Sequence, residues 1–271
     1  MIQHLLQLIW NQRKQNAWLW AELLLVSVFL WFLVDYLYVM GRTYTAPLGF
    51  DIRHTYSIVI SSLSERSPDY IPKEKRERPD GVHLLTALDR IRTYPGVESA
   101  CLTDGGMPYY MGSRNLVWRI DTLQVPCRYA FVTPEFFDVF RIYDKDGKTA
   151  SLKRAIEDNN SIVISADVET MNPGLSLLGQ KAYRGNVTDE IEETIRGISV
   201  PIRRHEYTKA EPNVYRALRL SRMEEGYYEG MIDAVRLCVR VRPDVDNADF
   251  PARFRKDMAE QLRLGNLYLL D

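Results

Sequence analysis

The sequence predicts an α+β protein in which an N-terminal transmembrane helix is followed by a two-part soluble domain, a split βαβ layer holding an inserted β-rich subdomain. Three observations predict it. A single apolar run, Trp18 to Met40, stands alone in the chain; the order strand, helix, strand occurs after it and again at the far end; and the stretch between is rich in strand-like segments.

The run comes first. Residues 23–34 read LLLVSVFLWFLV, and Trp18 to Met40 makes about 23 residues, or roughly 34 Å of helix, enough to span a hydrocarbon core. Trp18, Trp20, Tyr36 and Tyr38 lie toward its ends, where amphipathic rings favour the headgroup level. A cleaved signal peptide fits poorly, because the run exceeds a signal core and YVMGRTYTAPLG offers no small-x-small cleavage site. Residues 1–17 precede it with Ile2, Leu5, Leu6 and Ile9 at helical spacing opposite Gln3, Gln7, Arg13 and Lys14, the pattern of an interfacial amphipathic helix. Arg13 and Lys14 bias this end toward the cytoplasm.

Two acids, Glu22 and Asp35, fall inside the run. Asp35 is read as marking where the helix leaves the lipid and Glu22 as facing a partner helix. The functional alternative, a proton or ion relay, needs a chain of such groups, and only two are present.

Beyond the span, HTYSIVISS (54–62) reads as a strand, a polar loop follows, GVHLLTALDRIRTY (81–94) has the apolar spacing of a helix, and VESACLT (97–103) follows Pro95-Gly96 as a second strand. At the far end DAVRLCVRVR (233–242) alternates as a strand. Asp246 or Asn247 can cap a helix through FPARFRKDMAEQLRL, Gly265 is expected to stop it, and NLYLL closes as a strand. Residues 41–103 and 231–271 can then pair into one ferredoxin-like (porter-like) layer, with 104–230 inserted. Within the insertion NLVWRID, VPCRYAFV, SIVISAD and ETIRGISVPI read as strands, and Thr133-Pro134-Glu135 as a helix start with Thr133 as N-cap. Phe136, Phe137, Val139 and Phe140 follow as core.

Composition excludes several classes. With 26% charged residues, interleaved signs and a formal net charge of −1, no basic stripe points to nucleic acid. Gly147-Lys148-Thr149 imitates the end of a phosphate loop, but Ile142 stands where its first glycine belongs. DKDGK (144–148) lacks the calcium-loop ligand pattern, with Leu152 in place of a closing Glu. His4, His54, His83 and His205 have no zinc spacing, and Ser57, Ser61 and Ser113 have no nucleophile-elbow surroundings. TDEIEETI (188–195) could hold a cation but reads better as an exposed face. The sequons at Asn159 and Asn186 signify little in a bacterial chain. Cys101, Cys127 and Cys238 form no CxxC pair; buried apolar cysteines are favoured, with one disulfide open if the domain is extracytoplasmic. No catalytic, cofactor or metal residue is assigned.

FVTPEFFDVF (131–140), SIVISADVETM (161–171), Gly179-Gln180 and IRGISVPI, in that order after one span, resemble the periplasmic core domain of MacB-type and FtsX-type ABC transporter permeases. Asn172-Pro173-Gly174 departs from the family, whose helix often continues there. The resemblance implies a non-catalytic permease subunit of the bacterial inner membrane, with residues 18–40 spanning it and 41–271 forming a periplasmic domain. It implies as partners a cytoplasmic ABC ATPase subunit, a second permease copy or paired permease, membrane lipid and a periplasmic adaptor or other protein, and no cofactor of its own. Three further spans are expected to follow, so that the chain is a fragment. A membrane-anchored extracytoplasmic sensor or ligand-binding domain is the alternative.

Overall fold

The computed structural model describes residues 7, 10, 11, 14, 17–62, 65, 66, 68, 70–72, 75, 78–110, 112, 114–185, 190–226, 234–261 and 265–270. The chain divides into two units, one comprising Met1–Pro47 with Glu206–Thr208 and the other Leu48–His205 with Lys209–Asp271.

In the first unit, helix α1 is Ala17–Thr45, 29 residues with a mean hydropathy of 2.2 in its most apolar window and no buried side chain in that window. It is about 43 Å long. It passes the expected limit at Met40 by five residues, and the Thr45 hydroxyl closes its last turn on the carbonyls of Gly41 and Arg42 at 3.0 and 3.3 Å. Of the interfacial helix expected before it, only Gln7, Trp10, Asn11 and Lys14 are described; the first three are helical and Lys14 is in a turn.

The second unit is built on a ten-stranded sheet. Its strands are β1 (Thr55–Ser62), β2 (Val97–Asp104), β3 (Arg114–Ile120), β4 (Leu123–Val132), β5 (Ser161–Ser165), β6 (Lys181–Arg184), β7 (Ile191–Ser199), β8 (Asn213–Ala217), β9 (Arg236–Val241) and β10 (Gly265–Leu270). The order is β10-β1-β9-β2-β4-β3-β6-β7-β5-β8, and β4 also pairs with β8. Neighbours among the first four strands in this order are antiparallel, so β1 runs parallel to β2, and β9 to β10, across an intervening strand. Such a pair needs a crossover. Helix α2 (Asp80–Arg92) joins β1 to β2 and, numbered last in chain order, helix α7 (Phe250–Gln261) joins β9 to β10.

Both crossover helices cover one face of these strands. Leu84, Ala87, Leu88 and Ile91 of α2, and Phe250, Phe254 and Met258 of α7, recur at three- and four-residue steps and pack on Ile58, Ala100, Leu102, Leu237, Val239 and Val241. Gly81 lets α2 approach the short helix α6 (Leu220–Glu224), since a Cβ there would lie 2.3 Å from the Met223 carbonyl oxygen. The start of α7 follows from Asn247, whose side chain accepts the Asp249 N–H at 3.1 Å. Gly265 opens β10 rather than merely ending the helix, and Asp233, expected at the start of β9, lies outside the described residues.

The six remaining strands close on themselves. Successive pairings β4–β3, β3–β6, β6–β7, β7–β5 and β5–β8 return through the parallel pair β8–β4, giving a ring whose interior holds Trp118, Ile120, Val125, Cys127, Ile162, Ile164, Ala182, Ile195 and Val214. Outside it, α3 (Phe136–Val139) and α4 (Ala150–Glu157) pack with Ala130, Val132, Val163 and Tyr215. The helix expected from Thr133 begins three residues later. Thr133 instead accepts the Leu102 N–H on its hydroxyl at 3.1 Å, tying β2 to the end of β4. Helix α5 (Asp167–Met171) ends at Asn172-Pro173-Gly174, where Gly174 has φ +96°. The acidic segment is not uniformly exposed: Glu193 in β7 is 2% exposed and accepts the Arg216 Nε–H at 2.7 Å.

Candidate functional site: a clasp where the chain enters the sheet unit

Residues Leu48–Arg53 carry the chain into β1, and several of their backbone groups are held. The Arg203 N–H donates to the Leu48 carbonyl at 3.0 Å, and the Asp51 N–H donates to the Phe140 carbonyl at 2.8 Å. Gly49, with φ +84°, sits so close to the connector after β7 that a Cβ would lie 2.1 Å from the Pro201 oxygen. Glycine is required there on both counts.

The centre of this clasp is Arg240. It stands on β9 beside Thr55 of β1, on the face away from α2 and α7, and is 1% exposed. Its Nε donates to the Val139 carbonyl at 2.6 Å, Nη1 to the Arg53 carbonyl at 2.7 Å and Nη2 to the Asp51 carbonyl. One planar guanidinium therefore joins a central strand, the end of α3 and the incoming chain, a use of its fixed fork that a lysine cannot copy. Burial pulls Arg240 below the usual guanidinium range, and neighbouring Arg141 adds to this, with Asp51 opposing.

Two carboxylates brace the same segment. Asp51 accepts the Arg53 N–H at 2.8 Å and its guanidinium at 2.9 to 3.2 Å, and the side-chain bond from Arg53 holds the Asp51 carboxyl below the ordinary range. Asp246 is 2.5 Å from His54 Nδ1 and accepts the Tyr56 hydroxyl at 2.5 Å, linking the start of β1 to the turn before α7. His54 holds φ +59°.

This arrangement places no nucleophile beside a base. Among the described residues no group of three His, Cys, Asp or Glu is placed to hold a metal ion. The DKDGK turn satisfies itself: Asp144 accepts the N–H groups of Asp146 and Lys148 at 2.9 and 2.8 Å and the Ser151 hydroxyl. Glu22 and Asp35 are both exposed on α1. Thirteen positions separate them, about 20 Å along the axis and about 140° around it, so the helix does not bring them together. The clasp was missed in the sequence because Arg240 reads there as the polar half of an alternating strand. Its signal was the length of apolar sequence on both sides of it: Leu237 to Val241 are all buried, which leaves β9 no solvent face.

No protein-family profile and no curated protein matches the chain. Solved structures do. A domain of a candidate permease protein from Porphyromonas gingivalis is similar over 80% of this chain and 87% of its own, with a TM-score of 0.51 and 17% identity. The periplasmic region of MacB from Actinobacillus actinomycetemcomitans is similar over 85% and 94%, with a TM-score of 0.48 and 9% identity. The extracellular domain of the noncanonic ABC-type transporter YknZ from Gram-positive bacteria is similar over 80% and 100%, with a TM-score of 0.48 and 10% identity. Over four fifths of its length the chain thus shares the fold of the Porphyromonas gingivalis domain.

Proposed function

We propose that the chain is a non-catalytic permease subunit of an ABC transporter, anchored by α1 with its N-terminus cytoplasmic and its sheet unit in the periplasm of a bacterial inner-membrane protein. The domain transmits ATP-driven motion for export, extraction or mechanical signalling. Its ATPase is a separate cytoplasmic subunit, and it works with a second copy of itself or a paired permease, touching membrane lipid and a periplasmic adaptor or other partner.

The observation that carries this reading is the register of β1 with β10. Ser57 stands opposite Leu270, so the chain enters and leaves the sheet unit at the same end, in adjacent strands. A domain that receives motion from spans on either side of it needs its two ends together, and it needs the incoming segment to be stiff. The clasp of Arg240 on Asp51, Arg53 and Val139 supports the second requirement. In the same reading residues 41–103 and 231–271 form a split βαβ, ferredoxin-like layer, supported by the order β10-β1-β9-β2, and 104–230 are the inserted β-rich part. Glu22 and Asp35 serve structurally, near interfaces or against partner helices.

Co-expression of the complete protein with the ATPase encoded beside it tests the proposal. A stable complex is expected, with ATP hydrolysis that responds to Arg240→Met while assembly is retained. No association under these conditions would sink the permease reading and favour an anchored sensor.

A further inference from the structure

The Met107 and Cys238 sulfur atoms meet at the wall of a cleft on the face of the sheet opposite α2 and α7, with Cys101 beside Cys238 on the next strand. Cys101 of β2 and Cys238 of β9 are register partners on the two central strands, both fully buried and both free thiols. The Cys238 sulfur lies 3.5 Å from the Met107 sulfur, and Met107 and Cys238 line a cleft of about 500 Å³ with Tyr56, Tyr109 and Phe140. Burial holds the Cys101 thiol well above the ordinary thiol range, and the neighbouring Cys238 adds to this.

The strand geometry disfavours a disulfide. Leu102 directs both its N–H and its C=O toward Thr133, and the Val241 N–H goes to His54 of the β1 side. Alternation along each strand then turns the polar backbone of Cys101 and Cys238 toward each other. Theirs is a hydrogen-bonded pair, with Cβ atoms near the far end of the roughly 4.5 to 5.5 Å cross-strand range. A disulfide wants about 3.5 to 4.5 Å. Two thiols on facing strand positions, not spaced to bond covalently, with a thioether in contact with one of them, are a soft donor set. Three sulfurs in a plane at about 2.3 Å from an ion stand roughly 4 Å apart, against the 3.5 Å that separates the Cys238 and Met107 sulfurs. Zinc would want a fourth ligand, and no His, Asp or Glu completes such a group among the described residues.

We propose that Cys101, Cys238 and Met107 form a three-sulfur site for one soft monovalent d10 cation, of which copper(I) is the chemical type. Binding converts both thiols to thiolates and releases two protons to solvent, with the thioether as the neutral third donor, so affinity rises with pH. The proposal does not depend on the transport reading.

Silver(I), a redox-inert probe, added anaerobically to the full chain in detergent tests it by native mass spectrometry and proton release. One silver ion per chain and two protons are expected, with Cys127→Ser unchanged because that thiol lies inside the ring of strands. Cys101→Ser and Cys238→Ser should weaken retention by at least about 100-fold, and Met107→Leu by about tenfold, the first beyond what losing an outer-shell partner costs. Met107→Leu keeps both buried thiols, so it and the proton count decide the matter if a serine variant fails to fold. Silver retained equally by the Cys101→Ser/Cys238→Ser double variant, no protons released, or a Cys101–Cys238 disulfide in the air-exposed protein would each overturn the assignment.

Discussion

Replacing Arg240 with methionine tests the clasp most directly. Methionine is close in length and removes the charge while leaving a chain that can fill the space. The loss is three hydrogen bonds from a charged donor, to Val139, Arg53 and Asp51, each worth about 1.5 to 3 kcal/mol when the acceptor is buried. Against this the variant no longer desolvates a guanidinium, which costs several kcal/mol in a buried setting. The balance is a net loss of about 3 to 4 kcal/mol, the range found when one partner of a buried charged arrangement is deleted. In a unit of this size that corresponds to a fall in Tm of roughly 10 °C. Denaturant unfolding of the full chain in detergent measures it, and limited proteolysis should show new cleavage within residues 48–54 well below the midpoint. Arg240→Lys should recover less than half of the loss, since one ammonium cannot reach three carbonyls set in different directions. A methionine variant within about 1 kcal/mol of the parent, with no new cleavage, would show that the incoming segment is held by something other than this fork.

Three further outcomes follow from particular contacts. Gly49→Ala forces a Cβ toward the Pro201 oxygen at φ +84° and should cost about 2 to 4 kcal/mol by thermal unfolding; a neutral result would mean the connector after β7 yields freely. Asp167 is nearly buried and its Oδ2 has no partner, and burial raises its carboxyl above the ordinary range. Stability is therefore lost as pH rises from the ordinary carboxylate value through the raised one. Asp167→Asn should gain up to about 1 kcal/mol at pH 7 and nothing below about pH 4, and equal effects at both pH values would refute the assignment. Arg216→Met strands Glu193, to which Arg184 offers only a longer contact at 3.4 Å. It should cost about 3 kcal/mol, most of it restored when Glu193→Gln is added, as a double-mutant cycle would read.

What could be read from the chain was what local pattern controls. α2 and α7 announced themselves because their buried residues repeat at helical spacing, and β1, β2 and β9 because each is an apolar or alternating run closed by a turn or a proline. The permease likeness rested on the order of phrases such as FVTPEFFDVF, and the fold agrees with it. Residues 104–230 were less legible. β8 is five residues long and β6 four, too short for alternation to show, and both owe their strand form to neighbours far away in sequence. Helix α4 hides because only Leu152, Ala155 and Ile156 of its eight residues are buried. Thr133 was misread as a cap because its hydroxyl has a competing use, the Leu102 N–H, that no local pattern reveals. The same holds for Arg240: its three acceptors lie about a hundred or more positions earlier in the chain.

The closure of β4 through β8 also determines where another chain can add a strand. Within the ring every described strand has a partner on each side, so only partial backbone rows are open there, such as Arg114–Val117 of β3 on the side of β6. Unpaired rows remain on the outer side of β10 and along the early part of β2, which meets β4 only at Thr103 and Asp104. Among the described strands, association by strand addition, in a functional assembly or in aggregation, is thereby directed to the four-stranded part of the sheet, where β10 offers a row open along its whole length.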